Sequence, residues 1–458
     1  MNKSLLNWMC VILITLLFFL SQYFSGGKEY STLLLIEILG SILLLITLSL
    51  RTYQYRLSKA IWVCIITGFL IPILYLIPIS LEFWQKLPYR SHYQPILEWV
   101  IQQTGELPWL GLSLIPQKTF HALIAITPLL AIFLATTGLE RKQLKAIIYI
   151  FLLAAGFQAA WGIIQHSSGS AAFYRLERSP IGSAIGGYLN RDHFSVLLYL
   201  ATPISMGLLF SSFQHHADTD DDKSTAPMIT KLLLSILIIM LIATTILAAS
   251  RAGIFLIFLA FIISLVVFSK NLSIFKSAGI AFVLAGIASV ILSSIGIIPV
   301  INRFIALDPF EDGRAIIFKT TIEGIKAFFP IGSGPSTFQE VFRNFQAYDD
   351  VGFTNHAHND YLELLFETGL VGAVWGSMAL IVFLSGWWFI LKVKWDELKF
   401  IKMGAGISTT LFLLHGLVDF NFHTPANALA WCFLAAIFLR KESKQWNLGR
   451  DLRELKTL

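Results

Sequence analysis

Long apolar stretches recur along the whole chain and limit its fold more than any other feature. A hydrocarbon core about 30 Å thick is crossed by about 20 helical residues, and about twelve stretches of this length occur. They lie near residues 5–24, 31–50, 59–80, 119–138, 144–164, 192–212, 230–249, 252–268, 275–296, 366–391, 401–418 and 423–439. The runs are unbroken and do not alternate over about ten residues, so they predict helices, not barrel strands. We therefore expect an all-α polytopic membrane protein with about 12 transmembrane helices.

The overall composition agrees with this fold class. Only 14% of the 458 residues are charged, whereas a soluble protein carries about a quarter. The first stretch, flanked by Lys3, is interpreted as an uncleaved helix, because its apolar run is long for a signal peptide and no small-residue cleavage site follows. Cys10, Cys64 and Cys432 fall inside predicted spans and are expected to be buried hydrophobes, not a disulfide set or a metal cluster.

The distribution of basic residues predicts the orientation in the membrane. Short loops rich in Lys and Arg stay in the cytoplasm, and five such segments fall on one side if the N-terminus is inside. They are residues 51–59, 139–145, 269–276, 392–402 and the tail from 440. The net charge of +6 then reflects membrane anchoring, and no nucleic acid is expected as a partner. The acidic connector 215–225 also falls inside and is expected to be a solvated loop.

The predicted outer face receives the unusual segments. They are residues 81–118, 165–191, 250–251, 297–365 and 419–423. We expect three parts of the chain: N-terminal helices over 1–180, a core over 186–439, and a basic cytoplasmic tail over 440–458. The core contains the large outer-face loop 297–365 between helices 9 and 10.

Three arginines on this face lie next to apolar spans. Arg191 precedes the sixth span, Arg251 lies in a turn between two spans, and Arg314 lies on a partly amphipathic helix that Pro330 ends. One such arginine alone commonly reaches to lipid headgroups. Three of them on the side that normally avoids positive charge favour a phosphate ligand, because guanidinium groups bind phosphate through paired hydrogen bonds. A lipid diphosphate at the interface fits this pattern.

The turn after that helix and the stretch HAHND (356–360) have several interpretations. Gly332 and Gly334 allow a tight turn whose backbone N–H groups could meet an anion. In HAHND, the H-x-H-x-D spacing suits a zinc site, whereas Asn359 or Asp360 suits a helix cap with Glu363 one turn later. A histidine that acts as general base or partners a sugar hydroxyl is the interpretation we favour.

Four motifs in order resemble those of the O-antigen ligase and polymerase superfamily. The family pattern of His, then Asn, Ser or Gln, nine residues and Gly-x-x-Gly is met by His358, Asn359, residues 360–368, Gly369 and Gly372. Similar stretches are NRDHF (190–194), with Asp192 in place of an Asn, SRAG (250–253), and the arginine helix with its glycine turn (313–338). The closing stretch 415–429 also resembles some members. The resemblance covers about residues 186–430, and the first 180 match only in hydropathy.

The resemblance implies a substrate class and a location. Family members use polyprenyl-diphosphate-linked glycans as donors at the periplasmic side of the bacterial inner membrane. Ligases transfer the glycan to lipid A–core, polymerases join glycan repeat units, and relatives glycosylate protein hydroxyls. The expected partners are therefore this donor, a lipid A–core or glycan acceptor, and membrane lipids. Ligase is preferred over polymerase because the His-Asn-x9-Gly-x-x-Gly pattern is associated with ligases.

The resemblance also implies residue roles. Arg191, Arg251 and Arg314 would hold the diphosphate, with Arg314 and His358 as the catalytic pair. His358 would orient or deprotonate the acceptor hydroxyl. The implied transfer inverts the anomeric centre and needs neither metal nor cofactor. His356, Asn359, Gly369 and Gly372 would be supporting residues, the two glycines through close helix packing.

Two rival functions remain open. A polysaccharide-related transporter or flippase is the first, since His415 and Asp419 lie one helical turn apart and suit a proton relay. No clear inverted repeat accompanies them, although many transporters have one. A membrane metalloenzyme is the second.

Overall fold

The computed structural model describes residues 3–49, 57–170, 183–214, 226–269, 286, 309–347 and 352–441. Every regular element among them is helical, as the apolar runs predict. In chain order the helices are α1 (Lys3–Tyr23), α2 (Tyr30–Ser49), α3 (Lys59–Leu76), α4 (Leu81–Gln85), α5 (Gln94–Thr104), α6 (Pro116–Gly138), α7 (Arg141–Ser168), α8 (Arg191–Gln214), α9 (Ala226–Leu247), α10 (Arg251–Ser269), α11 (Pro309–Phe328), α12 (Phe338–Val341), α13 (Asp360–Leu391), α14 (Glu397–His415) and α15 (Pro425–Leu439).

Nine helices of the described residues are long and apolar enough to cross a membrane: α1, α2, α3, α6, α7, α8, α9, α10 and α13. The multi-pass membrane class is therefore confirmed, whereas the count of twelve is not. The predicted spans 401–418 and 423–439 correspond to α14, which begins with charged residues, and to α15, which has only 15 residues. Of the predicted span 275–296 only residue 286 is described, and the connector 215–225 and residues 442–458 of the tail lie outside the described residues.

The core of the bundle is built around α8, whose membrane-length stretch is entirely buried. It packs against α9, α10 and α14, and α1, α2, α6, α7 and α15 complete the same core. Glycines allow α8 and α14 to approach closely: a Cβ added at Gly404 would lie 2.6 Å from the carbonyl oxygen of Pro203, and one at Gly207 2.7 Å from that of Phe400. The helices on either side of residue 180 thus share one core, and the division there remains a prediction.

The two ends of the bundle differ in chemistry. At one end, which we call the basic end, Arg141 and Lys145 pair with Glu397 at 2.9 and 2.6 Å, and Arg440 donates to the carbonyl of Leu139. At the other end lie the α1–α2 loop (24–29), the segment 183–190, the loop 352–359 and the loop 416–424. We call this the histidine end. The described basic segments thus share one end, as the charge pattern predicts, while the membrane side that each end faces remains a prediction.

α13 is broken at Gly369, where the turn that follows α11 packs against it. Gly369 adopts φ 52° and ψ −133°, and a Cβ there would lie 2.2 Å from the carbonyl oxygen of Pro330. The amide of Leu370 donates to that oxygen at 2.8 Å. The expectation that Gly369 and Gly372 serve close helix packing is therefore wrong. Gly369 admits the loop after α11, and a Cβ at Gly372 would meet Thr368 of its own helix at 1.8 Å.

The glycine turn after α11 is also not an open anion site. The amide of Gly332 donates to the carbonyl of Phe328, and the amide of Gly334 donates to that of Glu367 at 2.8 Å. Both N–H groups are occupied by protein acceptors, so the expected anion-binding role of this turn is wrong. The turn instead fixes the end of α11, which stops at Phe328 as the following proline predicts.

The loop 81–118 packs onto this turn. Arg90 is 1% exposed and donates to the carbonyl of Leu112 at 2.5 Å and towards that of Gly332 at 3.4 Å. The amide of Leu114 donates to the carbonyl of Ser333 at 2.8 Å. These two loops, which the sequence predicts on the outer face, therefore form one layer, called the outer loop layer below, with Phe328, Phe338 and Phe366 in its apolar core. This layer supports the start of α13 and the residues before it.

Candidate active site

Three histidines surround the buried carboxylate of Asp419, which is 2% exposed. His193 Nε2 and His358 Nδ1 each lie 3.7 Å from Oδ1, and His415 Nε2 lies 3.8 Å from Oδ2. These separations exceed ordinary hydrogen bonds, so the attraction is mainly electrostatic. Burial acts to raise the pKa of Asp419, but the neighbouring histidines, His193 foremost, bring it well below its usual range. The group of four is called the Asp419 cluster below.

Two of these histidines are fixed from behind. The hydroxyl of Tyr199 lies 3.1 Å from His415 Nδ1, and that of Thr424 lies 3.1 Å from His193 Nδ1. Both imidazoles are buried, and each turns its other nitrogen towards Asp419. His358 differs, because its side chain is 30% exposed. It is therefore the member of the cluster that a substrate can reach.

Local backbone geometry places His358. Its φ of 50° lies in the left-handed region, which is uncommon for a residue other than glycine. The next residue, Asn359, caps α13: its side-chain oxygen accepts from the amides of Tyr361 and Leu362 at 3.0 Å, and its amide nitrogen donates to the carbonyl of Leu417. Asn359 thus joins the chain around His358 to the loop that carries Asp419. Of the two residues that suit a helix cap in the sequence, Asn359 is the one that caps α13.

A second cluster centres on Glu363, which is 2% exposed. Its Oε1 lies 2.9 Å from His356 Nδ1 and 3.2 Å from His423 Nε2, and its Oε2 accepts from the amide of Ala357 at 2.8 Å. His423 Nδ1 lies 3.4 Å from Asp360 Oδ1. Burial lowers and Glu363 raises the pKa of His423, with a net rise to about 9. We call Glu363, His356, His423 and Asp360 the Glu363 cluster.

The H-x-H-x-D zinc site considered from the sequence is not assembled. His356 faces Glu363 and His358 faces Asp419, so the two histidines serve different carboxylates. The described residues whose ligand atoms converge are instead His356, Glu363 and His423, all within 4.8 Å of one another.

Phe420 and Lys28 lie between the clusters. The Phe420 ring packs on His193, His356 and His358, with ring centroids 4.7, 4.4 and 4.8 Å away. The ammonium of Lys28 lies 4.9 Å from the same ring. Burial lowers the pKa of Lys28 to about 8, although Asp419 and Glu363 oppose the shift. Sequence reasoning missed Lys28, and its only signal was a lysine in the short loop on the predicted outer face.

The three predicted arginines lie near the same end of the bundle. Arg191 begins α8, and Arg251 begins α10. The starts of these two helices touch, since a Cβ at Gly253 would lie 2.3 Å from Ser195 Oγ. Arg314 lies in the first turns of α11, and its charge acts on His415. Their common role at a diphosphate remains a prediction.

The start of α8 also supplies a residue that the sequence analysis did not single out. His193 follows Arg191 by two residues and its main-chain carbonyl accepts from Asn427 at 3.1 Å. The NRDHF motif thus contributes a histidine to the Asp419 cluster as well as an arginine nearby. His423 and Glu363 were likewise not assigned to a site, because Glu363 and Asp360, the carboxylates that face His423, lie about 60 residues before it.

Comparison with known proteins bears on this arrangement. Residues 236–375 match the family model described as O-antigen ligase. The matched range contains Arg251, Arg314 and His358, whereas Arg191 and Asp419 lie outside it. The chain matches no protein of curated function. The match over residues 236–375 confirms the resemblance to the O-antigen ligase superfamily that the motifs indicate.

Proposed function

We propose that the protein transfers a glycan from a polyprenyl-diphosphate carrier to an acceptor hydroxyl, with lipid A–core as the acceptor. The family implies an enzyme of the O-antigen ligase and polymerase type. The observation that carries the proposal is the contrast within the Asp419 cluster. One histidine, His358, is accessible and faces a buried carboxylate, while the other two are enclosed and fixed. This is the arrangement that a general base and its orienting acid require.

The proposed chemistry has two halves. In the first, His358 Nε2 takes the proton of the acceptor hydroxyl while Nδ1–H faces Asp419, whose charge stabilises the imidazolium as it forms. In the second, the acceptor oxygen bonds to the anomeric carbon and the bond from that carbon to the diphosphate oxygen breaks. The electron pair leaves with the polyprenyl diphosphate, and Arg191, Arg251 and Arg314 stabilise the charge. A single displacement of this kind inverts the anomeric centre and needs no metal.

The helix starts support the assignment of the leaving-group side. Arg191 and Arg251 begin α8 and α10, whose N-terminal ends touch through Ser195 and Gly253. Helix N-termini present free N–H groups and a partial positive charge, which favour phosphate. We infer that the diphosphate lies against these two ends, with Arg314 on the side of His415. In this proposal the histidine end faces the periplasm and the basic end faces the cytoplasm of an inner-membrane protein.

A transporter or flippase is the second candidate. The buried series Tyr199, His415 and Asp419 supports it, because linked titratable groups inside a membrane bundle suit proton movement. A glycosidic product separates the two functions, since a transporter makes none.

The test is transfer by the purified full chain in EDTA. A polyprenyl-diphosphate glycan is supplied with lipid A–core, with excess donor alone, or with a hydroxyl-bearing acceptor protein. We expect glycosylated lipid A–core. A ladder of longer lipid-linked glycans would assign a polymerase, and glycosylated protein would assign a protein O-oligosaccharyltransferase. Translocation of donor without any glycosidic product would overturn the transferase in favour of the transporter.

A matched pair of variants ties the activity to the site. His358→Ala is expected to lose transfer, because the accessible base is removed. His92→Ala removes an exposed histidine of the outer loop layer that touches neither cluster, and wild-type transfer is expected. Equal activity of the two variants would contradict the assignment of His358.

A further inference from the structure

We propose that His356, Glu363 and His423 bind one divalent transition-metal ion of the zinc class, at a site separate from the Asp419 cluster. Each residue offers one ligand atom within 4.8 Å of the other two, and Glu363 Oε1 faces His356 Nδ1 and His423 Nε2. Two imidazole nitrogens and one carboxylate oxygen form a set that zinc takes in proteins, with a fourth position left open. The fold brings the three ligands together from the loop 352–359, the first turn of α13 and the loop 416–424.

The separations are close to those of a filled site. Tetrahedral zinc with N and O ligands at about 2.0–2.1 Å holds neighbouring ligand atoms about 3.3 Å apart. The carboxylate oxygen Glu363 Oε1 lies 2.9 Å from His356 Nδ1 and 3.2 Å from His423 Nε2. These two separations lie within about half an ångström of that value, and the ligand atoms of the two histidines lie within 4.8 Å of each other.

The outer partners of the ligands form an independent argument. A metal-bound histidine commonly gives its other ring N–H to a carboxylate, which fixes the ring and its tautomer. His423 Nδ1 faces Asp360 Oδ1 at 3.4 Å, and Asp360 Oδ2 accepts from the amide of Asn421 at 3.1 Å. The second oxygen of Glu363 accepts from the amide of Ala357 at 2.8 Å, which leaves Oε1 for the ion.

Packing holds the remaining ligand. The His356 ring stacks on Phe420 at a centroid distance of 4.4 Å and an interplanar angle of 26°. Its ring centroid lies 4.5 Å from that of His423. The side chain is thus held between the ring that borders the Asp419 cluster and the second imidazole ligand.

The Asp419 cluster does not offer an equivalent site. The outer nitrogens of its His193 and His415 face hydroxyls, not carboxylates. Among the described residues, only the Glu363 group brings three ligand atoms together. The metal would therefore not occupy the place of the proposed base.

An ion in the Glu363 cluster would join three segments next to the proposed base. His356 lies two residues before His358, and His423 lies four residues after Asp419. Metal binding would hold both loops to the start of α13. Glycan transfer in the proposed function does not use the ion, so the two proposals fail separately.

Replacing Lys28 should change the metal affinity in the direction opposite to the loss of a ligand. Its ammonium packs on Phe420 and its charge is attracted to Glu363. A cation at Glu363 would be repelled by that charge. Lys28→Met is therefore expected to tighten metal binding, whereas loss of a ligand weakens it.

The experiment measures zinc binding by the purified full chain after removal of metal with EDTA and dialysis. We expect one zinc ion per chain by competition with a chromophoric chelator. The affinity should fall at least 100-fold in the double variant His356→Gln/His423→Gln, and about 10- to 100-fold in Asp360→Asn, which removes the outer carboxylate. His92→Gln should bind zinc as the wild type does.

A direct spectrum of the wild type guards against variants that fold poorly. Cobalt(II) added to the metal-free chain should give the intense visible absorption of a four-coordinate site, and zinc should abolish it. Wild type that binds no more zinc than the double variant, or that gives only the weak spectrum of hydrated cobalt(II), would overturn the proposal. Loss of transfer in EDTA would instead count against the metal-independent reaction proposed above.

Discussion

Asp419→Asn isolates the charge of the buried carboxylate while keeping its shape. If His358 takes a proton in the transition state, an imidazolium forms 3.7 Å from Asp419 Oδ1. At an effective dielectric constant of about 20, unit charges at that separation attract by about 4 kcal/mol. Proton transfer that is half complete would gain about 2 kcal/mol. These figures correspond to a fall in kcat of about 30-fold for half transfer and about 1000-fold for full transfer.

The assay is steady-state glycan transfer by detergent-purified protein in EDTA, with donor and acceptor varied separately. We expect kcat to fall within that range and KM to change little, because the acceptor is uncharged in the ground state. Asp396→Asn is the matched control. Asp396 caps α14 at the basic end, where it accepts from the amide of Lys399 at 2.8 Å, and Asn caps helices about equally well. A kcat for Asp419→Asn within threefold of the wild type would refute the reasoning.

Three further changes test other parts of the account. Gly369→Ala should lower the thermal unfolding midpoint, because φ 52° with ψ −133° and a carbonyl 2.2 Å from the new Cβ together cost at least about 2 kcal/mol. The control Gly376→Ala lies in the same helix with its nearest neighbour at 3.5 Å, so it should leave the midpoint equal or higher. An equal fall of the midpoint in both variants would contradict the helix break. Arg314→Ala should weaken donor binding and lower kcat/KM about 100-fold by loss of a charge-assisted phosphate contact, as measured by donor titration; the exposed Lys319→Ala on the same helix is the control, and a similar loss there would indicate only surface charge. The ¹³C-dimethylated Lys28 resonance, assigned with Lys28→Arg, should titrate near pH 8. Because the folded pKa is lowered from 10.5 to about 8, the unfolded chain binds more protons between these values and the contribution of this group to stability rises with pH in that window; a midpoint near 10.5 would contradict the burial.

The helices were predictable because each apolar run of about 20 residues has one stable form in a membrane. The break at Gly369 was not, since a glycine inside an apolar run gives no local sign of a kink. The break accommodates the carbonyl of Pro330, which follows the end of α11 and accepts from the amide of Leu370. The end of α14 and the short α15 were likewise placed only within a few residues, because their polar ends blur the hydropathy boundary.

Some residues of the candidate site were also predictable from the sequence, and others were not. His358 and the three arginines could be chosen from motifs and from charge on the outer face. The partners of the histidines could not, because Asp419 and His423 follow His358 by about 60 residues and Lys28 precedes it by about 330. His356 and His358 are two positions apart in the sequence but face different carboxylates. His356 faces Glu363, and His358 faces Asp419. Sequence spacing alone leaves open one H-x-H-x-D set that contains both.

The most direct test of the central claim is single-turnover transfer in EDTA with His358→Ala and the wild type, each saturated with labelled polyprenyl-diphosphate glycan. Release of polyprenyl diphosphate and formation of the glycoside are followed together, and donor affinity is measured on the same samples. The account predicts that His358→Ala binds donor as the wild type does but forms product at least 100-fold more slowly. Wild-type rates in His358→Ala would contradict it, because no other histidine of the Asp419 cluster is accessible to the acceptor.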